Sequence, residues 1–236
     1  MDDKLFWEKY FLTYDTLNEA IPYQKLMGDL IEALKVDKGD LIFDAGSGTG
    51  NLCIRLRECG SQPIGFDFSE RAISIHKKKD RNAEVIFGDL TRKLPFPDNY
   101  FDKIVSNNVL YTINKSLRLA VIKEFYRILK PNGTVVIANV HTGFNPLVIF
   151  MDHLRQSKKI KGIWKTAIDL GRNGYVLAKM FYHSLSLIMK DRNRKYAFME
   201  KDEQKYLLSE ACFKNVAETL YTYSNQSYLD AGVKQK

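Results

Sequence analysis

Residues 41–52 read LIFDAGSGTGNL, and this stretch decides which fold the rest of the chain has to build. Its apolar first residues, 41–43, predict a short buried strand that leads into Asp44. Three glycines follow at alternate positions: Gly46, Gly48 and Gly50. Glycines allow a sharp turn and let a ligand approach the backbone closely. A helix predicted to begin at about Asn51 adds unpaired N–H groups, so the stretch predicts a ligand-binding loop between a strand and a helix.

The spacing of these glycines separates the loop from two common nucleotide sites. A dinucleotide site has the pattern G-x-G-x-x-G and places pyrophosphate at the helix N-terminus. Here the spacing is G-x-G-x-G, and Asn51 stands where the dinucleotide pattern has its third glycine. No Gly-Lys-Ser/Thr follows, which argues against a P-loop. A glycine loop alone is weak evidence, so its ligand has to be inferred from residues farther along the chain.

Two carboxylates stand at the ends of the next two predicted strands. Asp67 ends the second strand, at a distance from Gly46 where an acidic side chain can accept hydrogen bonds from both hydroxyls of a ribose. Phe68 follows and can lie against a purine face. Asp89 follows the third strand and can accept from an exocyclic amine. Each carboxylate alone could be a helix cap or a turn residue, but the set in this order predicts an adenosine site at the strand ends.

Short apolar runs alternate with amphipathic helical patterns through the first 140 residues. Strands are predicted at 41–43, 63–66, 83–87, 103–106 and 134–140. Helices are predicted at 21–34, 51–58, 71–79 and 117–129, with Pro131–Gly133 ending the last of them. This alternation is typical of parallel strands covered by helices on both faces. Residues 145–198 break the rhythm with two or three helical stretches, and a helix at 202–211 and strand-like runs near 216–223 and 226–233 follow.

Together these motifs resemble the class I S-adenosylmethionine-dependent methyltransferases, over about Trp7–Val140 and more loosely over Asp202–Val233. The family's first motif, acidic-x-Gly-x-Gly-x-Gly, is matched by the run from Asp44 to Gly50. Its ribose-binding and adenine-binding acids are matched by Asp67 and Asp89. Phe101–Ile113 and Leu129–Val140 resemble its fourth-strand segment and a later helix–turn–strand. The chain looks most like the small-molecule group that includes ubiquinone- and menaquinone-type enzymes.

The resemblance implies a Rossmann-like α/β fold. Its seven-stranded sheet is mostly parallel with the last strand antiparallel, helices cover both faces, and a helical insertion precedes the last helix–strand pair. The implied cofactor is S-adenosyl-L-methionine, and the implied reaction is methyl transfer to a hydrophobic or anionic small molecule. The alternatives are a peripheral membrane enzyme with a lipid-like substrate and a non-catalytic S-adenosylmethionine-binding protein. The residues expected to bind the cofactor are Asp44, Gly46, Ser47, Gly48, Gly50, Asp67, Phe68, Asp89, Leu90 and Asn107.

Two segments are expected to cover the core of this single domain, 1–236. Residues 7–17, WEKYFLTYDTL, resemble the N-terminal lid of small-molecule methyltransferases, whose tyrosine often closes over the donor. Residues 1–20 are therefore expected to form a lid, with Tyr14 over the donor. Aromatic packing within a terminal helix is the alternative explanation. Residues 145–198 are expected to cap the substrate, because insertions at this point often build the substrate lid in the family.

Methyl transfer from a sulfonium needs no obligatory catalytic side chain, because the donor already carries a good leaving group. The protein mainly holds nucleophile and methyl about 3–3.5 Å apart and excludes water. The catalytic candidates are Tyr14, Tyr111 and His141, with a solvated loop histidine as the alternative for His141. Tyr111 stands near a position where many small-molecule members carry histidine, which weakens the case for a histidine base there. His76, followed by three lysines, is expected on a solvated helix surface.

One segment carries the whole charge imbalance of the chain, whose formal net charge is +8. Residues 152–195 contain 11 basic and three acidic side chains, together with several aromatic ones. This segment is either a solvated helical face or a surface for an anionic partner such as lipid headgroups, nucleic acid or an acidic substrate. A lidded small-molecule pocket is favoured over an anionic membrane surface. Nucleic acid is disfavoured because the remaining residues are neutral overall.

The cysteines, the histidines and several absent motifs narrow the possible classes of protein further. Cys53, Cys59 and Cys212 form no C-x-x-C pair, which disfavours a disulfide framework or cysteine-based zinc site and favours a reducing, cytoplasmic compartment. The histidines show no metal-ligand spacing, so no metal is expected. The first ten residues lack the pattern of a signal peptide, and no apolar run is long enough to span a bilayer. The run 107–110 lacks the Asn/Asp-Pro-Pro-Tyr motif of amino-methylating DNA and protein enzymes, so those substrates are disfavoured.

Overall fold

A computed structural model describes residues 3–192, 196–214 and 218–236. Within them one sheet has seven strands in the order β3-β2-β1-β4-β5-β7-β6. The strands are β1 Leu41–Ala45, β2 Gln62–Asp67, β3 Glu84–Phe87, β4 Phe101–Asn107, β5 Leu129–Val140, β6 Leu220–Thr222 and β7 Ser227–Val233. β7 pairs antiparallel with β5 and with β6, and the other pairs are parallel. The predicted fold class is confirmed.

The described helices alternate with the strands as predicted. They are α1 Asp3–Tyr14, α2 Ile21–Leu34, α3 Asn51–Glu58, α4 Glu70–Lys79, α5 Lys115–Ile128, α6 Pro146–Lys161, α7 Ile163–Arg192 and α8 Glu203–Glu210. Local chemistry sets several of their ends. Pro22 stands in the first turn of α2, where its missing N–H costs nothing. The Ser69 hydroxyl accepts from the backbone N–H of Ala72 and caps α4.

The central strands are buried on both faces. In β1, residues 42–45 are all buried, and successive side chains of a strand point to opposite faces of the sheet. The inner five residues of β2 are buried in the same way. Both faces are therefore covered, and the open positions left for a ligand lie where the strands end.

The chain enters β5 earlier than predicted. α5 ends at Ile128, and β5 begins at Leu129, so Pro131–Gly133 lies within the strand. The pairing with β4 shifts register between Phe101 and Lys103, and Asn132 has a φ of 65°. These residues form an irregularity of the strand, which local turn propensity does not distinguish from a separate turn.

The insertion consists of two helices, α6 and the 30-residue α7, which pack against each other. Gly162 lies between them with a φ of 81°, a conformation that glycine adopts without strain. α7 also packs against α1, so the two predicted covering segments are in contact. No described helix is both long and apolar enough to cross a membrane. The strand-like run predicted near 216–223 begins at Leu220, and 216–217 lie outside the described residues.

Candidate functional site

A cavity of about 470 Å³ opens where β1–β4 end, with α1 above it. Most of the predicted site residues line it: Asp44, Gly46, Ser47, Gly48, Asp67, Phe68, Asp89, Leu90, Asn107, Tyr14 and Tyr111. Gly50 and His141 are not among its lining residues. The three predicted carboxylates thus share one cavity, as expected from the rule that ligands bind at the carboxyl ends of parallel strands.

Four backbone N–H groups of the glycine loop already donate hydrogen bonds inside the protein. The N–H groups of Gly46 and Ser47 donate to the Phe66 carbonyl, at 2.8 and 3.1 Å. That of Gly48 donates to the Asp67 carboxylate, at 2.9 Å. That of Gly50 donates to the Ser47 carbonyl, at 2.9 Å. Since these amides already have partners, the loop offers little of the N–H cradle on which phosphate sites depend. The geometry therefore favours a ligand other than pyrophosphate.

Gly50 serves the packing of the loop rather than its ligand face. Its φ is 81°, and a Cβ added there would lie 2.0 Å from the His76 ring. His76 is fully buried, so the prediction that it lies on a solvated helix surface is wrong. It shares the inner face of α4 with Ala72 and Ile73, at the i, i+3 and i+4 spacing of a helix. Burial lowers the pKa of the His76 imidazole to about 4, so the ring is neutral near neutral pH.

Asp67 is held in one orientation at the cavity wall. One carboxylate oxygen accepts from the Gly48 N–H and the other from the Ser69 N–H, at 2.9 and 2.8 Å. Burial raises its pKa, and these backbone hydrogen bonds oppose the rise. A carboxylate has about four acceptor positions, so two remain for a pair of ligand hydroxyls.

Asp89 combines the two roles that its position in the sequence left open. Its Oδ1 accepts from the backbone N–H and from the hydroxyl of Thr91, both at 2.8 Å, which makes it a turn residue. Its side chain is half-exposed and also lines the cavity. Phe68 and Phe87 line the same part of the cavity and are exposed. Phe87 was not predicted, although its place at the end of β3 could have identified it.

Asp44 is a buried carboxylate whose hydrogen-bond partner is the Cys53 thiol, 3.1 Å away. Burial raises its pKa to about 7; the thiol opposes this rise and nearby Asp67 adds to it. Among the ion pairs of the described residues, none involves Asp44. A cationic ligand in the cavity would supply the missing counter-charge.

Several polar atoms of the cavity residues also lack partners within the described chain. They are Ser47 Oγ, Asn51 Nδ2 and Asn107 Oδ1, and all three are buried. Buried polar groups in native proteins are nearly always hydrogen-bonded, so such atoms mark places where a ligand or water completes the network. The residues present therefore fit a polar, positively charged ligand at this end of the cavity.

Much of the rest of the cavity wall is aromatic. The side chains that form it are Trp7, Tyr10, Phe11, Tyr14, Tyr23, Tyr111, Phe144 and Tyr223. α1 supplies four of them and lies over the glycine loop, since a Cβ on Gly48 would lie 3.3 Å from the Phe11 ring. The Tyr23 hydroxyl donates to the Tyr14 hydroxyl at 3.3 Å. Tyr23, Phe144 and Tyr223 were not predicted, because they come from segments far apart in the sequence and no local motif marks them.

The aromatic side chains of the cavity form a roof over it, and an ionic contact joins this aromatic roof to the glycine loop. The Asp15 carboxylate, just after α1, accepts from the Thr49 hydroxyl at 2.6 Å and from the Lys79 ammonium at 2.9 Å. Thr49 belongs to the glycine loop and Lys79 to the end of α4. The segment after α1 is thus tied to both elements that shape the cofactor end of the cavity.

The candidate catalytic groups differ in what they can do. Burial raises the pKa of Tyr14 and of Tyr111 well above the usual value, so both phenols stay protonated and can donate hydrogen bonds but not remove protons. His141 lies outside the cavity, where its ring stacks on Tyr228. Its two nitrogens contact backbone oxygens of Thr142 and Asn225 at 2.6 and 2.7 Å. The described residues contain no cluster of side chains able to hold a metal ion.

Part of the chain is similar in sequence to known methyltransferases. Residues 43–137 match the family described as "Methyltransferase domain". A demethylmenaquinone methyltransferase from Geobacillus sp. is 33% identical over 146 residues, which cover 55% of this chain and 59% of that protein. This chain spans between 57% and 59% of the length of four such curated relatives.

Comparison with solved structures finds the same fold in chains of low sequence identity. A chain of the complex that contains the Haloferax volcanii Trm112 methyltransferase activator superposes with a TM-score of 0.67 at 16% identity, over 100% of this chain and 99% of that one. A TehB-like SAM-dependent methyltransferase from Corynebacterium glutamicum gives 0.64 at 17% identity, over 98% of both chains. The fold is shared with these chains. The family match and the curated relatives agree with the predicted resemblance to class I S-adenosylmethionine-dependent methyltransferases over the matched residues.

Proposed function

We propose that this chain, which carries a class I methyltransferase domain, transfers the methyl group of S-adenosylmethionine to an apolar small molecule bound under the aromatic roof. One observation carries the proposal above the rest. Asp44, Asp67 and Asp89 stand at or just after the carboxyl ends of three neighbouring parallel strands and line a single cavity with a largely aromatic wall. Acidic groups suit a cationic nucleoside, and an aromatic wall suits an apolar acceptor.

Each carboxylate has a distinct task toward the donor. Asp67, fixed by two backbone N–H groups, would accept from the ribose hydroxyls. Asp89 would accept from the exocyclic amine of the adenine, with Phe68 and Leu90 against the ring. Asp44 would face the positively charged methionine part, where Ser47 and Asn107 contribute further polar atoms. When bound, the donor supplies an electrophilic methyl group on a sulfonium.

The acceptor end of the cavity favours a hydrophobic substrate over an anionic one, the two types expected from the sequence. The described lining residues include no Lys, Arg or His, so an anionic acceptor would find no counter-charge there. Several relatives are named demethylmenaquinone methyltransferases, which suggests a ring-bearing, quinol-like acceptor. Tyr14 and Tyr111 would act as hydrogen-bond donors that orient the acceptor, while the roof excludes water. Because these phenols stay protonated, neither would take the acceptor's proton, which would leave to solvent after methyl transfer.

Titration calorimetry tests the donor site. We expect micromolar binding of S-adenosylmethionine and of its demethylated product, and loss of detectable binding in Asp67→Ala. Glu58→Gln, which removes an exposed carboxylate from α3, should bind normally. Undetectable binding to the folded wild-type protein would overturn the proposal.

Turnover is tested separately with a labelled methyl donor and a short-chain demethylated quinol. Transfer of label to the ring compound, absent in Asp67→Ala, is the expected result. Donor binding without transfer to any quinol or to an extract of apolar metabolites would instead identify a non-catalytic binding protein.

A further inference from the structure

We propose that the tip of the α6–α7 hairpin, residues 155–168, docks on a membrane surface that carries anionic lipid headgroups. This hairpin tip comprises the last turns of α6, Gly162 and the first turns of α7. The inference concerns a surface outside the cavity, and it stands or falls independently of the reaction proposed above.

The apolar side chains of the hairpin tip are unusually exposed. Trp164 is 83% exposed, Ile160 69%, Ile168 67% and Ile163 59%. Trp164 and Ile168 share one face of α7, four residues apart, and Ile160 and Ile163 flank Gly162. Four large apolar side chains within nine residues form a contiguous patch, and such patches mark sites of interaction rather than ordinary surface.

Cations surround this patch. The segment 155–168 contains five basic residues and no acidic one: Arg155, Lys158, Lys159, Lys161 and Lys165. All five are exposed. Lysines in the last turn of α6 complement its helix dipole, which would explain part of the cluster. Lys165 stands in the first turn of α7, where the dipole disfavours a cation and where none of the residues is acidic; the nearest acid in the helix sequence, Asp169, lies one turn farther along. Stability of the helix therefore does not account for the charge at this end.

The combination of exposed apolar and basic side chains at the hairpin tip indicates the kind of partner that it binds. Isoleucine and indole side chains interleaved with ammonium groups suit the boundary between acyl chains and headgroups, where apolar groups insert and cations meet anionic lipid. The patch lies at the turn between two helices, where all four apolar side chains are more than half exposed. α7 runs from this tip to the cavity, which Ser184 of the same helix lines. The hairpin tip thus connects a lipid surface to the aromatic end of the site.

Vesicle sedimentation of the full chain tests the proposal. We expect co-sedimentation at low salt with vesicles of phosphatidylcholine and phosphatidylglycerol in equal parts. With pure phosphatidylcholine, or at high salt, binding should weaken strongly because charge attraction is removed or screened. Lys158→Gln/Lys159→Gln should weaken partitioning roughly thirtyfold, since each lysine contributes about a fivefold factor near an anionic surface. Trp164→Ser should weaken it about tenfold or more, because the buried apolar area is lost.

A matched variant separates this patch from charge in general. Lys77→Gln/Lys78→Gln removes two adjacent exposed lysines from α4 and should leave partitioning within about twofold of wild type, because α4 lies outside the proposed contact. Brominated lipid should quench the fluorescence of Trp164, and Trp164→Phe should abolish that quenching, since Trp7 is buried. Donor binding and thermal unfolding of each variant should match wild type, which distinguishes a docking defect from failure to fold and from failure of the proposed reaction.

Several outcomes would overturn the proposal. One is no sedimentation of the wild-type chain with anionic vesicles at low salt. Another is equal weakening by the α4 and hairpin-tip lysine pairs, or unquenched Trp164 in bound protein. A concentration-dependent dimer that dissociates in Trp164→Ser would assign the patch to a second copy of the chain. Displacement from vesicles by an RNA oligonucleotide that binds the same residues more tightly would assign it to nucleic acid.

Discussion

At the scale of single residues, Asp44 is a carboxyl group of the cavity whose ionisation differs strongly from that of an exposed aspartate. Its carboxyl is buried, and burial raises its pKa to about 7, far above the value of about 3.9 in an unfolded chain. A raised carboxyl pKa favours the neutral form. This group's contribution to folding stability is therefore complete below the unfolded pKa and is lost as the pH rises through about 7. A bound cation has the opposite preference, because it stabilises the ionised carboxylate.

We predict that S-adenosylmethionine binds about tenfold more tightly at pH 8 than at pH 6. With a pKa of about 7 the ionised fraction of Asp44 rises from about one tenth to about nine tenths over this range. Calorimetry at pH 6 in buffers of different ionisation enthalpy should also detect proton release on binding. Asp44→Asn should bind weakly and with little pH dependence, and its free form should be more stable than wild type at pH 8. An affinity for the wild-type chain that does not vary with pH would contradict this role.

Which site residues could be predicted depended on whether a local pattern marks them. Asp67 and Asp89 were predictable because each follows a strand at a fixed place in the alternation of strands and helices. Tyr23 and Tyr223 were not, since their rings meet only when the whole chain is folded. His76 was misjudged because three neighbouring lysines outweighed the helical spacing that places it beside Ala72 and Ile73.

At the scale of elements, the glycine loop and α4 fit together through one close contact. Gly50 begins α3 with a positive φ and faces the buried His76 ring of α4. Both nitrogens of that ring lack partners among the described residues. The contact therefore depends on shape rather than on hydrogen bonding, and any atom added at Gly50 has to displace the imidazole.

We predict that Gly50→Ala lowers the free energy of unfolding by about 2–4 kcal/mol, from a left-handed backbone and overlap with His76. Gly143→Ala is the matched control, since Gly143 has a φ of 91° but its nearest atom beyond the chain neighbours is 4.0 Å away; it should cost about 1–2 kcal/mol. Adding His76→Ala to Gly50→Ala should recover part of the loss. Urea unfolding measures all of these variants, and equal effects at the two glycines would contradict a steric role for His76.

The elements themselves were largely predictable, and the exceptions have physical causes. Apolar periodicity identified the helices and central strands because both faces of the sheet are buried. The beginning of β5 was misplaced because Pro131–Gly133 has the composition of a turn, whereas Leu129 and Thr134 on either side of it both pair with β4. The family resemblance implied covers at 1–20 and 145–198, but the packing of α1 against α7 could not be predicted, since it depends on contacts between distant segments.

At the scale of the whole molecule, the two signs of charge lie in different places. The cavity is lined by carboxylates, while the excess of cations is confined to 152–195, in and just after α6 and α7. The chain that leaves α7 is then fastened back to the core by Arg118, which is fully buried. Its guanidinium donates to the Glu203 carboxylate at 2.7 Å and to backbone carbonyls of Tyr111 and Ala197. One side chain thus joins the cavity rim, the end of the insertion and α8.

We predict that Arg118→Ala lowers the free energy of unfolding by about 3–5 kcal/mol, because it leaves the nearly buried Glu203 with only the exposed Lys115, 3.9 Å away, as a cationic partner among the described residues. Arg118→Ala/Glu203→Gln should recover part of this loss, since the unpaired charge is then removed. Lys115→Gln is the control: its pair with Glu200 is exposed on both sides, and its contact with Glu203 is long, at 3.9 Å, so its loss should cost less than about 1 kcal/mol. Urea unfolding measures each effect. If Arg118 and Lys115 proved equally dispensable, the return of the chain to the cavity rim would have to depend on other contacts, such as the Ala197 N–H donating to the Tyr111 carbonyl at 3.1 Å.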